Sequence, residues 1–188
     1  MEDFQYREKL QKKLAQSPND VKLLIELGFM YMEDMEDVDQ ALQLLNRAIE
    51  LDPNNVEALF WLAKSYFHCV FDDEKTKEIL EKALKLDPKA AACHDLLADV
   101  LSHLGESREK SIYHLRKAVE AEPTWIHCGA RLSSYLMKNH DFDKAEVVAK
   151  ETIKVFKNLE FPLPKTPMKE YYAECVTGKT KYGKERLN

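Results

Sequence analysis

The sequence is poor in everything a loop-rich, membrane-spanning or secreted fold needs. Only five of its 188 residues are Gly and seven are Pro, few for a chain built mostly of turns. Its four cysteines follow no framework spacing. No stretch alternates apolar and polar residues with the period of a strand, so the class is all-α. No apolar run approaches the roughly 20 residues of a membrane helix. Met1–Leu10 (MEDFQYREKL) is charged throughout, unlike a signal peptide. The net charge of −5 lacks the basic footprint of a general nucleic-acid binder. At 188 residues one domain with a sizeable core is expected.

What is present is periodic. In ALQLLNRAIELDPNNVEALFWLAKSY, Ala41, Leu44, Leu45, Ala48 and Ile49 recur at helical spacing. Asp52-Pro53-Asn54-Asn55 interrupts with turn chemistry, and Leu59, Leu62, Ala63, Tyr66 and Phe67 resume on a second helical face. Pro18, Pro53, Pro88 and Pro123 are 35 residues apart each time. Their flanks repeat as AIELDP at 48–53, ALKLDP at 83–88 and AVEAEP at 118–123. A fixed period of this size marks a stacked array.

The pattern resembles the tetratricopeptide family, in which W-x2-L-G-x2-Y, A-x3-F and P recur over about 34 residues. The first repeat offers Leu24, Leu27, Gly28 and Tyr31, then Ala41, Leu45, Ala48 and Pro53. The second offers Leu59, Leu62, Ala63, Tyr66, Thr76, Leu80, Ala83 and Pro88. The third has His94, Leu97, Ala98, Leu101, Ser111, Leu115, Ala118 and Pro123. The fourth has Gly129, Leu132, Ser133, Leu136, Ala145 and Ala149, and no closing Pro. The resemblance implies a right-handed solenoid of helical hairpins. The expected organisation is a half-repeat cap helix over 1–17, then four repeats near 19–53, 54–88, 89–123 and 124–157. A Pro-rich linker, short helix and basic tail would follow over 158–188.

Two departures stand out. The first three repeats carry one extra residue between their helices. His94 and Gly129 occupy the large-aromatic place, so the later repeats should bury less apolar surface.

In Glu2–Gln16 the stripe Tyr6, Leu10, Leu14 should face the array, with Glu8, Lys9, Gln11, Lys12 and Lys13 turned to water as a solubilising cap. A swapped or dimerising helix is the alternative, so a monomer or a weak dimer through terminal helices is expected. The acidic turns, Glu33, Asp34, Glu36, Asp37, Asp39 and then Asp72, Asp73, Glu74, lack the Gly and bidentate Glu of a calcium loop. They suit helix N-termini instead. Phe161–Pro167 is too Pro-rich for a helix. It suits a stiff linker better than a ligand for a partner's aromatic groove. Met168, Tyr171, Tyr172 and Cys175 form the apolar face of a short helix expected to cover the fourth repeat. The triplet Gly178-Lys179-Thr180 is no phosphate loop, since Ala173 stands where that motif needs Gly.

Function should live off the buried faces. On a helical wheel of about 100° per residue, Ile25, Phe29 and Met32 fall away from Leu24/Leu27/Tyr31. Phe60, Trp61, Lys64 and Phe67 do so in the second repeat. The family turns this side inward as a concave groove. Later equivalents are Asp95, Leu96, Asp99, His127, Arg131 and Ser134, so the groove should run from greasy to polar. A Trp outside the core beside other apolar groups is what a binding patch looks like. The expected occupant is an amphipathic helix or an extended segment with bulky anchors. Self-occlusion by Tyr171 or Tyr172 of the tail competes with it.

The family's capture of heat-shock chaperone C-termini uses a Lys/Asn/Asn/Lys/Arg clamp. Here those places hold Ile25, Phe29, Trp61, Ala92 and Leu96. One repeat later they hold Phe60, Lys64, Leu96, His127 and Arg131, of which only Arg131 matches, so that capture is not expected. Cys93-His94 and His127-Cys128 offer a zinc-type set, but adjacent residues diverge by about 100° on a helix. Cys93 and Cys128 suit small buried thiols: first-helix axes roughly 8–10 Å apart exceed a disulfide's reach. No nucleophile–base–orienter set is visible. The expectation is a cytoplasmic, non-catalytic adaptor or co-chaperone-like scaffold with no cofactor and no metal. A dedicated chaperone for a secreted or membrane client is the alternative, and a metal-dependent enzyme the least favoured.

Overall fold

The structure, a computed structural model, describes residues 2–33 and 37–158. Among them are helices α1 (Glu2–Gln16), α2 (Val21–Glu33), α3 (Val38–Leu51), α4 (Val56–Ser65), α5 (Asp73–Leu86), α6 (Ala91–His103), α7 (Arg108–Ala121), α8 (Ile126–Lys138) and α9 (Phe142–Asn158). A π-helical turn, Tyr66–Val70, extends α4. No strand occurs among the described residues. The chain divides into two compact units, residues 1–104 and 105 onward. The first holds α1–α6, the second α7–α9.

The acidic and amide turn residues are caps. Asp37, Asn55 and Asp72 accept from the amides of Gln40, Ala58 and Lys75 at 2.9, 3.0 and 2.9 Å. Asp20 accepts from Lys22 and Leu23 at the start of α2. Each satisfies donors that a helix start leaves unpaired. Asn55 also donates its side-chain amide to Asp52 at 3.0 Å, closing the Asp52–Asn55 turn. Asn55→Ala should therefore cost about 1 kcal/mol, read as a lower urea midpoint at unchanged slope.

The in-phase residues form the core. Leu45, Leu80 and Leu115 are buried, as are the small residues Gly28, Ala63, Ala98 and Ser133 at the place where helices approach closely. The fourth pair breaks phase with compensation. Gly129 stands at the Leu24/Leu59 place and Thr152 at the Ala48/Ala83 place. A Cβ added to Gly129 would lie 2.2 Å from Thr152 Oγ1. The room left by the missing side chain is thus filled from α9. Ser133 Oγ adds a buried bond to the Ala145 carbonyl at 2.9 Å.

First helices begin at Val21, Val56, Ala91 and Ile126, and second helices at Val38, Asp73, Arg108 and Phe142. The extra residue therefore lies within the first three hairpins, as expected. It is absorbed in two ways. In the second hairpin it lengthens the helix as the π turn, where the Phe71 amide bonds the Tyr66 carbonyl and Phe71 takes φ 61. In the third it lies after Gly105, at φ 68. Phe71 is 80% exposed in a backbone region that bulky residues rarely adopt.

The N-terminal helix departs from the expected stripe. Leu10 is buried, but Tyr6 is 45% exposed and Arg7 is buried instead. The Arg7 guanidinium lies 5.3 Å from the Tyr31 ring centre. The Tyr6 hydroxyl donates to Glu26, and that hydrogen bond, then the carboxylate's charge, holds the phenol above its ordinary pKa. Gln11 donates to the Tyr31 hydroxyl at 2.7 Å. This helix is fastened to α2 by polar tips as well as by Leu10. The linker, the expected helix over Met168–Cys175, the basic tail, Asp34 and Glu36 lie outside the described residues. No helix among the described residues is long and apolar enough to cross a membrane.

Candidate partner-binding groove

In the first unit, α2 and α4 bring three aromatic rings together. The Phe29 and Trp61 centroids are 4.5 Å apart and tilted by 50°. Phe60 meets Trp61 edge-on at 5.0 Å. The Lys64 ammonium lies over the Trp61 ring at 4.9 Å, a cation–π contact. All four side chains are half-buried. Lys22, Ile25, Glu26, Phe29, Glu57 and Trp61 enclose a cavity of about 350 Å³. Trp61 spans the two apolar clusters of the unit, so it is both part of the packing and part of the surface.

Three residues expected to line the groove are not on it as exposed groups. Ile25 and Met32 are buried, Ile25 among Leu10, Leu24, Leu27 and Ala58. They lie seven residues apart on one arc of α2. A first helix with packed neighbours on both sides buries a wider arc than the single stripe a wheel assumes. Phe67 is likewise buried, its ring 5.0 Å from that of His103. Ile25 therefore serves as floor. Conversely, the expectation missed Lys22, Glu26 and Glu57. Their signal was present: each lies three or four residues from Phe29 or Trp61, or from a residue that does, hence on the same helix face.

The polar residues expected farther along are divided between units. Asp95 and Asp99 are half-buried on α6 of the first unit. His127 is exposed and Arg131 half-buried on α8 of the second. The His127 ring lies 5.5 Å from that of Trp125, and its Nε2 lies 3.3 Å from Cys128 Sγ.

Cys93 and Cys128 are buried, free thiols. Burial pushes the Cys93 thiol up to about 12, so it stays protonated and is a poor nucleophile or metal ligand. His94 lies in the core with Nε2 3.2 Å from the Pro88 carbonyl, to which it donates. Cys93 and His94 thus serve the packing.

Comparison with known proteins agrees with the repeat pattern. A family model described as a TPR repeat matches residues 34–68, and one described as a tetratricopeptide repeat matches residues 57–90. No curated protein sequence matches the chain. Among solved structures, MamA superposes with a TM-score of 0.66 at 23% identity, over 81% of this chain and 87% of its own. A thermophilic TPR protein of Thermus thermophilus gives 0.68 at 19% identity, covering 90% and 88%. YrrB, described as a TPR protein with an unusual peptide-binding site, gives 0.65 at 16% identity, covering 90% and 93%. Those identities speak for the fold; the repeat matches name the family, which is generally a protein-interaction fold. Residues 34–90 of the chain match the tetratricopeptide-repeat superfamily, and the fold is that of solved TPR proteins.

Proposed function

We propose that the protein is a non-catalytic adaptor that seats a partner's amphipathic helix or extended segment on the Phe29–Phe60–Trp61 surface. The observation that carries this reading is the ring cluster itself. Three half-buried aromatic rings have neighbouring centroids 4.5 and 5.0 Å apart, and two of them, Phe29 and Trp61, line a cavity rimmed by charges of both signs. Binding energy in interfaces concentrates at such aromatic anchors inside a polar rim. Lys22, Glu26, Glu57 and Lys64 would then set orientation rather than affinity. A helix would present anchors three or four residues apart, and an extended segment every second residue.

The test is a pull-down with the full chain, wild type beside Trp61→Ala and Glu57→Lys. Because Trp61 also packs against the core, equal helicity and melting are verified first. Glu57 is exposed, so its variant leaves the fold intact. Loss of an anchor costs about 2 kcal/mol or more, roughly a 30-fold drop in affinity. A defined partner should therefore disappear from the Trp61 variant and weaken in the Glu57 variant. A partner list identical across all three proteins removes the groove from the function.

A further inference from the structure

The last helix of the second unit keeps open a face that its counterparts in the first unit bury. Leu44 on α3 and Ile79 on α5 are each 7% exposed. Leu44 clusters with Ala58 of α4, and Ile79 with Leu97 of α6, so the first helix of the next repeat supplies the cover in both cases. Val148 holds the same place on α9, three residues after Ala145 as Leu44 follows Ala41 and Ile79 follows Thr76. No helix follows α9 among the described residues. Val148 is half-buried, and with Val119, Trp125, Gly129, Thr152 and Val155 it lines a cavity of about 350 Å³.

We propose that residues 168–175 of the same chain cover this face as a fifth first helix, antiparallel to α9, with Tyr171 and Tyr172 seated in the cavity. The segment and the face belong to one unit, and the inference stands apart from the groove of the first.

Pattern, register and reach support it. Met168, Tyr171, Tyr172 and Cys175 repeat the spacing of Leu24, Leu27, Gly28 and Tyr31, and of Leu59, Leu62, Ala63 and Tyr66. Pro167 before them suits the first turn of a helix. Val148 and Val155 are seven residues apart, as are Met168 and Cys175. An antiparallel pair therefore sets Met168 opposite Val155, Cys175 opposite Val148, and the two tyrosines opposite Glu151 and Thr152. Each tyrosine offers a ring to the valines and a hydroxyl to the charged rim, Glu151 and Lys154. Those two charges balance, so the cavity selects by apolar area rather than by sign, and the basic stretch Lys179–Arg186 gains nothing there. The nine residues 159–167 span up to about 30 Å when extended. Asp52–Asn55 make the equivalent turn from α3 to α4 with four, so nine suffice to turn back from Asn158. The array then ends in its own chain, and the face on which a partner's helix or a second copy would stack is taken.

The experiment is disulfide trapping in the full chain. In a Cys69→Ser background, mild oxidation of Val148→Cys should join the new thiol to Cys175 within one molecule, as mapped by mass spectrometry of the linked peptides. Cys93 and Cys128 are buried and stay out of the reaction. Val147, 54% exposed, points about 100° away on α9, so Val147→Cys should stay unlinked. Yield in Val148→Cys should collapse when Tyr171→Ala/Tyr172→Ala is added, which keeps both thiols. The second readout is Trp125 fluorescence in a Trp61→Phe background. Because Trp125 lines the cavity, losing the two tyrosines should shift its emission to longer wavelength and raise its quenching by acrylamide.

Equal linking of the two cysteine variants, or linking of neither, overturns the proposal. Linking found only at dimer mass overturns it in favour of a second copy as occupant. Trp125 emission and quenching that ignore the tyrosines overturn it as well, since the cavity is then not where they sit.

Discussion

Leu45→Ala should destabilise the first unit by about 2–5 kcal/mol, the range for emptying a fully buried Leu site. Leu45 is fully enclosed in the main core cluster. It also lies against the backbone of α2. A Cβ added to Gly28 would come 2.9 Å from Leu45 Cγ and 3.1 Å from its Cδ2. That proximity gives a test that a generic cavity would not. Gly28→Ala alone gains up to about 1 kcal/mol of helix propensity. It also forces a packed side chain aside, which costs typically about 1–3 kcal/mol, so the net sign is destabilising. In the Leu45→Ala background the obstruction is gone and the new methyl fills part of the void. There Gly28→Ala should stabilise by about 1 kcal/mol. Trp61 lies in the first unit and Trp125 in the second. Fluorescence of Trp125→Phe variants therefore reports this unit alone during urea unfolding. A Gly28→Ala effect of the same sign in both backgrounds would mean that Leu45 does not explain the glycine.

The second large effect belongs to α8 and α9. Gly129→Ala places a methyl 2.2 Å from Thr152 Oγ1 and 3.0 Å from its Cγ2. Thr152 has little freedom to yield. It is buried, and its hydroxyl donates to the Val148 carbonyl at 2.8 Å. The two helices must separate or α9 must turn, and about 1–3 kcal/mol of stability should be lost. For a chain of this length that is a fall in melting temperature of roughly 3–10 °C. Thr152→Ala removes both of those close atoms. The double variant should recover more than half of the loss, and Trp125 fluorescence in a Trp61→Phe background follows it. Equal melting of Gly129→Ala and the double variant would show that Thr152 is not what requires the glycine.

That pair also shows where the sequence was legible and where it was not. Periodicity placed the hairpins, their caps and the buried Leu and Ala positions, because each depends on near neighbours in the chain. Gly129 was recognisable as a departure, and less buried apolar surface was expected from it. The structure answers instead with Thr152, 23 residues away, which only three-dimensional packing reveals. The same limit applied to Ile25, Met32 and Phe67. A wheel ranks directions around one helix, but it does not know how many neighbours that helix will have. Tyr6 and Arg7 exchanged roles because the helix they share has polar partners, Glu26 and the Tyr31 ring, as well as apolar ones. Phe29, Phe60, Trp61 and Lys64 were legible together because all four depart from the buried face by a large angle.

The π turn at Tyr66–Val70 and the glycine at 105 carry a meaning for how such a chain can change length. Both accommodate one surplus residue at the hairpin rim, and the buried positions on either side keep their phase. A single-codon insertion or deletion there is thus neutral to the packed interior, whereas the same event inside α5 would rotate every later side chain of that helix by about 100°. Length changes should therefore be best tolerated at this rim, where a newly displayed side chain, as Phe71 is here, becomes raw material for contacts that the repeat itself does not specify.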